Sequence, residues 1–286
     1  MELGVAFRYT NKDEGYDPSV ILERALCVCT NLISLKINHV FLHIGHLSTY
    51  PALRHFELNP PGSMIDSIKC KNLLLAFPAL EYRSIRPVKD TVLLTCIDQI
   101  CPNIQYLEFN HSYIKDNLPR ASITSNTSKG LRFLHINARG RLRKIDDVMD
   151  IVMRHHSTRE HLAINLQSDM DTSKSRQFTK AQLQFDQLAH VHFGINKPHP
   201  FESQSSNELF IKDACEFFGN ILSRPSNIQT LRLSGRALDP AVLRCSLGQL
   251  QHLYKIVIGN HDLDSVDEGL PARSDDALKP VLDELS

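Results

Sequence analysis

The chain has 286 residues, is 42% hydrophobic and 22% charged, and carries 32 basic against 32 acidic side chains, a formal net charge of zero. That is apolar material enough for a sizeable core, and the balanced charge removes a whole-chain electrostatic case for nucleic acid or an anionic membrane. No apolar run approaches the ~20 residues of a membrane helix, and Met1 to Thr10 does not read as a secretory signal.

In chain order, Val5-Ala6-Phe7 reads as the end of a strand phrase, and residues 1–16 as an incomplete first unit without a polar cap. Such an edge is expected to be covered by a preceding domain or by another protein. Asp17-Pro18 is an N-cap followed by proline at the first helical position, and Val20, Ile21, Ala25 and Leu26 share one helical face. Then comes Leu32-Ile33-Ser34-Leu35-Lys36-Ile37: an apolar residue, two others, an apolar residue, one other, an apolar residue. The phrase returns with its first residue at Leu53, Ile104, Leu131, Leu188, Ile228 and Leu253. Two degenerate copies fill the longer gaps, one from Leu80 with Arg83 at an apolar position, the other from Arg159 through Leu162-Ala163-Ile164. Between phrases the apolar spacing changes to three and four, predicting amphipathic helices over Asp90–Ile100, Lys144–Met153 and Asn207–Leu222.

The phrases are spaced 21, 27, 24, 27, 28, 29, 40 and 25 residues apart, mostly in or near the range of about 20–29 for leucine-rich repeats. The step of 40 holds an insertion, placed at 197–206, and residues 262–286 read as a loop and a capping helix. Each unit is a short strand, a turn and a helix, and helical crossovers make the strands parallel. The expected fold is α/β: a single leucine-rich-repeat solenoid of nine or ten units, a horseshoe with strands on the concave face and helices on the convex one.

Seven cysteines, at 27, 29, 70, 96, 101, 215 and 245, form no Cys-x-x-Cys pair, which gives no support to a zinc ribbon or a redox motif. Cys27, Cys96 and Cys215 fall in apolar helical patterns and read as core hydrophobes; reduced thiols suit the cytoplasm or nucleus. The sequons at Asn110 and Asn126 read as chance matches.

Several strands are preceded by a shared lead-in: Cys29-Thr30-Asn31-Leu32, Cys101-Pro102-Asn103-Ile104 and Pro225-Ser226-Asn227-Ile228. This resembles the cysteine-containing subclass of leucine-rich repeats in F-box/leucine-rich-repeat proteins, especially divergent fungal ones, over roughly residues 20–260. The resemblance implies the substrate-receptor half of an SCF-type ubiquitin ligase. The chain departs from that family twice. The turn position three past the last strand apolar residue is Val40, Pro61, Ser112 or Arg139 rather than Asn or Cys, and nothing resembles the F-box. A Skp-type adaptor is therefore a partner only if an F-box lies outside this chain.

Side chains alternate along a strand, so the residues between the apolar ones point onto the concave face. Lys36, His55, Glu57, Tyr82, Tyr106, Glu108, Phe133, His135, His190, His192, Arg232 and Lys255 are the candidate partner-binding residues, with Ser34, Ser84 and Thr230 beside them. Aromatic side chains flanked by charge are the composition of a protein-binding hot spot; the alternative is scattered exposed residues with no partner. Asn38, Asn59, Asn110, Asn137 and Asn165, one past each strand, read as turn residues. His135, His161, His190 and His192 invite a metal reading, but 14 histidines make proximity by chance expected. His43-Ile44-Gly45-His46 and Thr172-Ser173-Lys174-Ser175 are similar to class I aminoacyl-tRNA synthetase signatures, without the glycine-rich approach that the chemistry needs. The expected function is protein recognition without catalysis, cofactor or metal, with an F-box-independent scaffold or regulatory interaction protein as the alternative.

Overall fold

The computed structural model describes residues 2–6, 24–38, 49–59, 67–85, 92–109, 130–137, 145–167, 185–196, 204–223, 227–235 and 250–259. The elements are β1 (Glu2–Ala6), β2 (Ser34–Asn38), β3 (His55–Asn59), α1 (Ser67–Leu75) and β4 (Tyr82–Ile85). A 3-10 turn (Val92–Thr95), α2 (Ile97–Ile100), β5 (Tyr106–Phe109), β6 (Phe133–Asn137) and α3 (Ile145–Arg154) follow. The chain then forms β7 (His161–Gln167), β8 (His190–Asn196), α4 (Gln204–Leu222), β9 (Thr230–Gly235) and β10 (Lys255–Gly259). The fold is α/β, with one open ten-stranded sheet in the order β1 to β10. Every pairing is parallel.

Each of the nine phrases, the two degenerate ones included, becomes a strand that starts two residues after its first apolar position. The residues that set this register are local. Before five of the strands a turn closes from the backbone N–H of the first phrase residue to the carbonyl three residues earlier: Leu53 to Tyr50, Leu80 to Phe77, Ile104 to Cys101, Leu188 to Phe185 and Leu253 to Leu250. Tyr50, Phe77, Cys101, Phe185 and Leu250 are all buried, so each turn is pinned to the core by its first residue. The Cys101-Pro102-Asn103-Ile104 lead-in is one of these turns. β7 and β8 run on for seven residues because a third inward apolar residue, Leu166 or Ile195, extends the alternation.

Inward side chains from the strands meet the helices in one continuous core. α1 contributes Cys70, Leu73 and Leu74, α3 Val148, Met149, Ile151 and Val152, and α4 Ala214, Cys215, Phe217 and Phe218. Phe218 stacks on Phe193 of β8 with centroids 4.1 Å apart. Burying a side chain of this size stabilises by about 1.5–3 kcal/mol. The core thins at the last strand: Ile256 and Ile258 occupy inward positions yet are 37% and 38% exposed.

The helices differ from expectation in detail. The 17–27 segment is described only from residue 24, where it is helical to 28. Of the expected helix over Asp90–Ile100, the described residues 92–100 form a 3-10 turn followed by a single α-turn; the Thr95 hydroxyl donates to the Val92 carbonyl at 2.8 Å and competes with the helical ladder. α1, which buries Cys70, Leu73 and Leu74, is an additional helix outside the expected set. α4 starts at Gln204, so the end of the 197–206 insertion is helical. The His43–His46 and Thr172–Ser175 tetrapeptides, both sequons, Cys245 and the segment 262–286 lie outside the described residues.

Candidate functional site

The sheet face opposite the core is organised in rows, because in-register parallel strands bring equivalent residues side by side about 5 Å apart. The first row runs Ser34, His55, Tyr82, Tyr106, Phe133, His161, His190, Thr230, Lys255. Its central six members form an unbroken stack of rings. His55 meets Tyr82 edge-on at 5.8 Å, and Tyr82 stacks on Tyr106 at 4.4 Å. Tyr106 tilts against Phe133 at 5.7 Å, Phe133 stacks on His161 at 4.5 Å, and His161 stacks on His190 at 4.1 Å. The row then passes to a hydrogen bond between His190 Nδ1 and Thr230 Oγ1, 2.8 Å long.

The second row holds Lys36, Glu57, Ser84, Glu108, His135, Ala163, His192 and Arg232. Lys36 pairs with Glu57 at 2.5 Å. The Tyr106 hydroxyl donates to Glu108 Oε1 at 2.7 Å, and His135 Nδ1 lies 3.9 Å from the same oxygen. His192 Nε2 and Ser234 Oγ are 3.2 Å apart. The two rows are thus tied together at Tyr106, Glu108 and His135, midway along the sheet.

Burial dominates the electrostatics. It pushes the Tyr106 phenol well above its ordinary range, and the Glu108 carboxylate adds to the effect. The His161 imidazole is pushed down to about 3 by burial, with His190, His135 and Arg132 adding to it. His190 is lowered by burial as well. His161 and His190 are therefore neutral near pH 7, and the stretch of the stack from Tyr82 to His190 is an uncharged surface.

No family model matches the chain, and no curated protein matches it.

The twelve expected residues all lie on this face, but not equally exposed. Lys36 and Lys255 are exposed; His55, Glu57, Tyr82, Tyr106, Glu108, His190, His192 and Arg232 are half-buried. Phe133 and His135 are 5% and 3% exposed, so the expectation that both reach solvent does not hold. Rings on adjacent strands cover one another: Phe133 sits in the middle of the stack, and His135 lies in the next row with its ring against Tyr106 at 5.6 Å. Ser84 is buried too. His161 joins the row although only a metal reading had singled it out. Its signal is its place two residues past the first position of the phrase that opens at Arg159, the outward position that Tyr82, Tyr106 and Phe133 hold in theirs.

The asparagines divide. Asn38, Asn59 and Asn137 are the last residues of β2, β3 and β6 and Asn165 lies inside β7, so none of the four is one past its strand; Asn137 and Asn165 are buried on the sheet face, not set in solvated turns. Asn165 fits because its neighbour on β8 is Gly194: a Cβ there would come within 2.8 Å of Asn165 Oδ1 and 2.6 Å of Ser234 Oγ. Among the described residues no three His, Cys, Asp or Glu side chains converge as a metal-binding set, and no helix is long and apolar enough to cross a membrane.

Proposed function

We propose that the chain is a leucine-rich-repeat horseshoe that recognises another protein on the ring-bearing face of its sheet, as the substrate-receptor half of an SCF-type F-box protein does. The observation that carries this reading is the continuous six-ring stack from His55 to His190. Rings held by their neighbours lose little rotamer freedom when a partner docks, which removes part of the usual cost of association. Aromatic anchors bordered by separate charges are what binding hot spots are made of. The reading needs no catalytic residue, cofactor or metal, and it places the protein in the cytoplasm or nucleus, where its cysteines stay reduced. The alternative is a scaffold that binds through the same face without a ubiquitin ligase.

The test is affinity capture from the native host with the full gene product, comparing the unaltered protein with a His55→Ala, Arg232→Glu, Lys255→Glu variant. His55 is the end ring of the stack, and Arg232 and Lys255 lie beyond its other end, so its centre stays intact. Loss of a specific partner with unchanged thermal unfolding supports the reading, and an identical partner set overturns it. Co-purification of a Skp-type adaptor decides for the ligase, and its absence beside a retained partner decides for the scaffold.

A further inference from the structure

Arg83 is inward-facing on β4, at a position filled by Leu35, Phe56, Leu107 and Leu134 on nearby strands, and it is fully buried. Its Nη2 donates to Cys70 Sγ of α1 at 3.0 Å, while Nε and Nη1 are buried without a hydrogen-bond partner. Among the described residues the groups that act on its charge are Cys70, Cys101 and Cys96, with no carboxylate. Arginine does not give up its proton in proteins. A buried charge without a counter-ion is among the most costly arrangements a core can hold, and among the described residues these sulfurs are the groups placed to supply one.

The three sulfurs are not equivalent. Burial pushes the Cys101 thiol up to about 11, which keeps it protonated at neutral pH. Cys96 is only partly buried, and its thiol donates to the Leu93 carbonyl at 3.7 Å. Cys70 is fully buried and is the sulfur in direct contact with the guanidinium. We propose that Cys70 is a thiolate in the folded protein, the counter-charge of Arg83, and that it is the site at which a hydroperoxide oxidises this chain.

Ionising a thiol at neutral pH demands a shift of about 1.5 pK units from its ordinary value, and more where burial opposes it; an adjacent arginine is a recognised means of achieving it. The other titratable groups of the packed elements do not compete. Lys69 and Lys71 are on exposed positions of α1, and Asp98 of α2 is bound to Arg154. The Cys70 sulfur attacks one oxygen of the peroxide, a new S–O bond forms and the O–O bond breaks. Hydroxide or alkoxide leaves and takes a proton from water, and Cys70 becomes the sulfenic acid. Access comes by local opening of α1, a nine-residue helix whose Ile68, Asn72 and Leu75 are exposed. The neutral sulfenic acid no longer balances Arg83, so oxidation loosens α1 from β4.

The test starts with the unaltered protein. Ultraviolet thiolate absorbance at neutral pH is expected to fall by about one thiolate per chain on unfolding in denaturant, as the thiol returns to its ordinary pKa of about 8.5. Cys70→Ser is expected to lack that difference. Hydrogen peroxide at one equivalent, followed by a sulfenic-acid trap and peptide mapping, is expected to label Cys70 first. In Arg83→Leu the labelling of Cys70 should slow by about tenfold or more. A native absorbance no higher than that of the unfolded protein overturns the proposal, as does first labelling at another cysteine. Both readouts on the unaltered chain stand even if a variant fails to fold.

Discussion

His161 and His190 lie on adjacent strands in register, their rings 4.1 Å apart and their planes 24° from parallel. Phe133 closes the other face of His161 at 4.5 Å, and His190 Nδ1 is held by Thr230 Oγ1. An imidazolium between a phenyl ring and a second imidazole would lose its hydration without gaining an anion, so the pair is stable only as two neutral rings. This constraint follows from the stacking that makes the face suitable for a partner.

Acid therefore weakens the fold through these rings. His161 is depressed to about 3, and His155 to about 4, by burial first and by Arg159 next. Each binds a proton in the unfolded chain below the ordinary value of 6.5 and not in the folded one. The unfolded state then holds more protons, and stability falls as pH drops from 6.5 towards 4. The slope is up to about 1.4 kcal/mol per pH unit for each such histidine. His161→Phe keeps a ring in the stack and removes the titration, so its denaturant midpoint should vary less over this range. Equal slopes for the two proteins would refute the assignment.

Stability and recognition separate along the row. Phe133 is 5% exposed and touches rings on both sides, so Phe133→Ala should cost about 3–5 kcal/mol. Lys255→Glu, on the same face but exposed, should stay within about 0.5 kcal/mol. Urea unfolding of the two variants checks this, and comparable losses would show that the face is not organised around the stack. Phe133 is thus a poor position at which to test binding.

The strands were legible because a strand phrase needs only local alternation and a turn. Even Arg83 and Arg159 did not erase it, since the remaining apolar positions of each unit still matched. The short 3-10 turn was not legible, because one Thr95 hydroxyl decides between two hydrogen-bond patterns. Which face a residue points to could be read from the period of two. How far it is covered could not: the burial of Phe133 and His135 depends on the rings of neighbouring units, tens of residues away in sequence. For the same reason Asn165 looked like a turn residue, when the missing side chain of Gly194 is what lets it lie buried within a strand.

Gly130 precedes β6 with φ +145°, a conformation L side chains rarely adopt. A Cβ there would also come within 2.6 Å of Thr158 Oγ1 and 2.9 Å of Thr158 Cγ2. Gly130→Ala should therefore cost about 1–3 kcal/mol. Adding Thr158→Ala should recover only the steric part, because the backbone strain remains. Full recovery in thermal unfolding of the double variant would show that the dihedral carries no cost.

Arg159 replaces the leucine or isoleucine that opens the other phrases, and it is fully buried. Its Nη2 donates to the Ile151 carbonyl at 3.0 Å, its Nε and Nη1 have no hydrogen-bond partner, and Arg154 is a nearby like charge. One hydrogen bond, worth about 1.5–3 kcal/mol to a charged group, is set against the desolvation of a whole guanidinium. Desolvation is the larger, which is also why burial pulls this side chain down to about 9. Arg159→Leu restores the apolar side chain of the other units and removes the charge. It should be at least as stable as the unaltered protein, by as much as about 1–4 kcal/mol. Arg159→Ala should be less stable than Arg159→Leu by about 2–5 kcal/mol, the cost of an unfilled core position. Guanidinium chloride unfolding of both variants reads the difference, and a Leu variant that unfolds well before the unaltered protein would mean that the buried charge is matched by a partner.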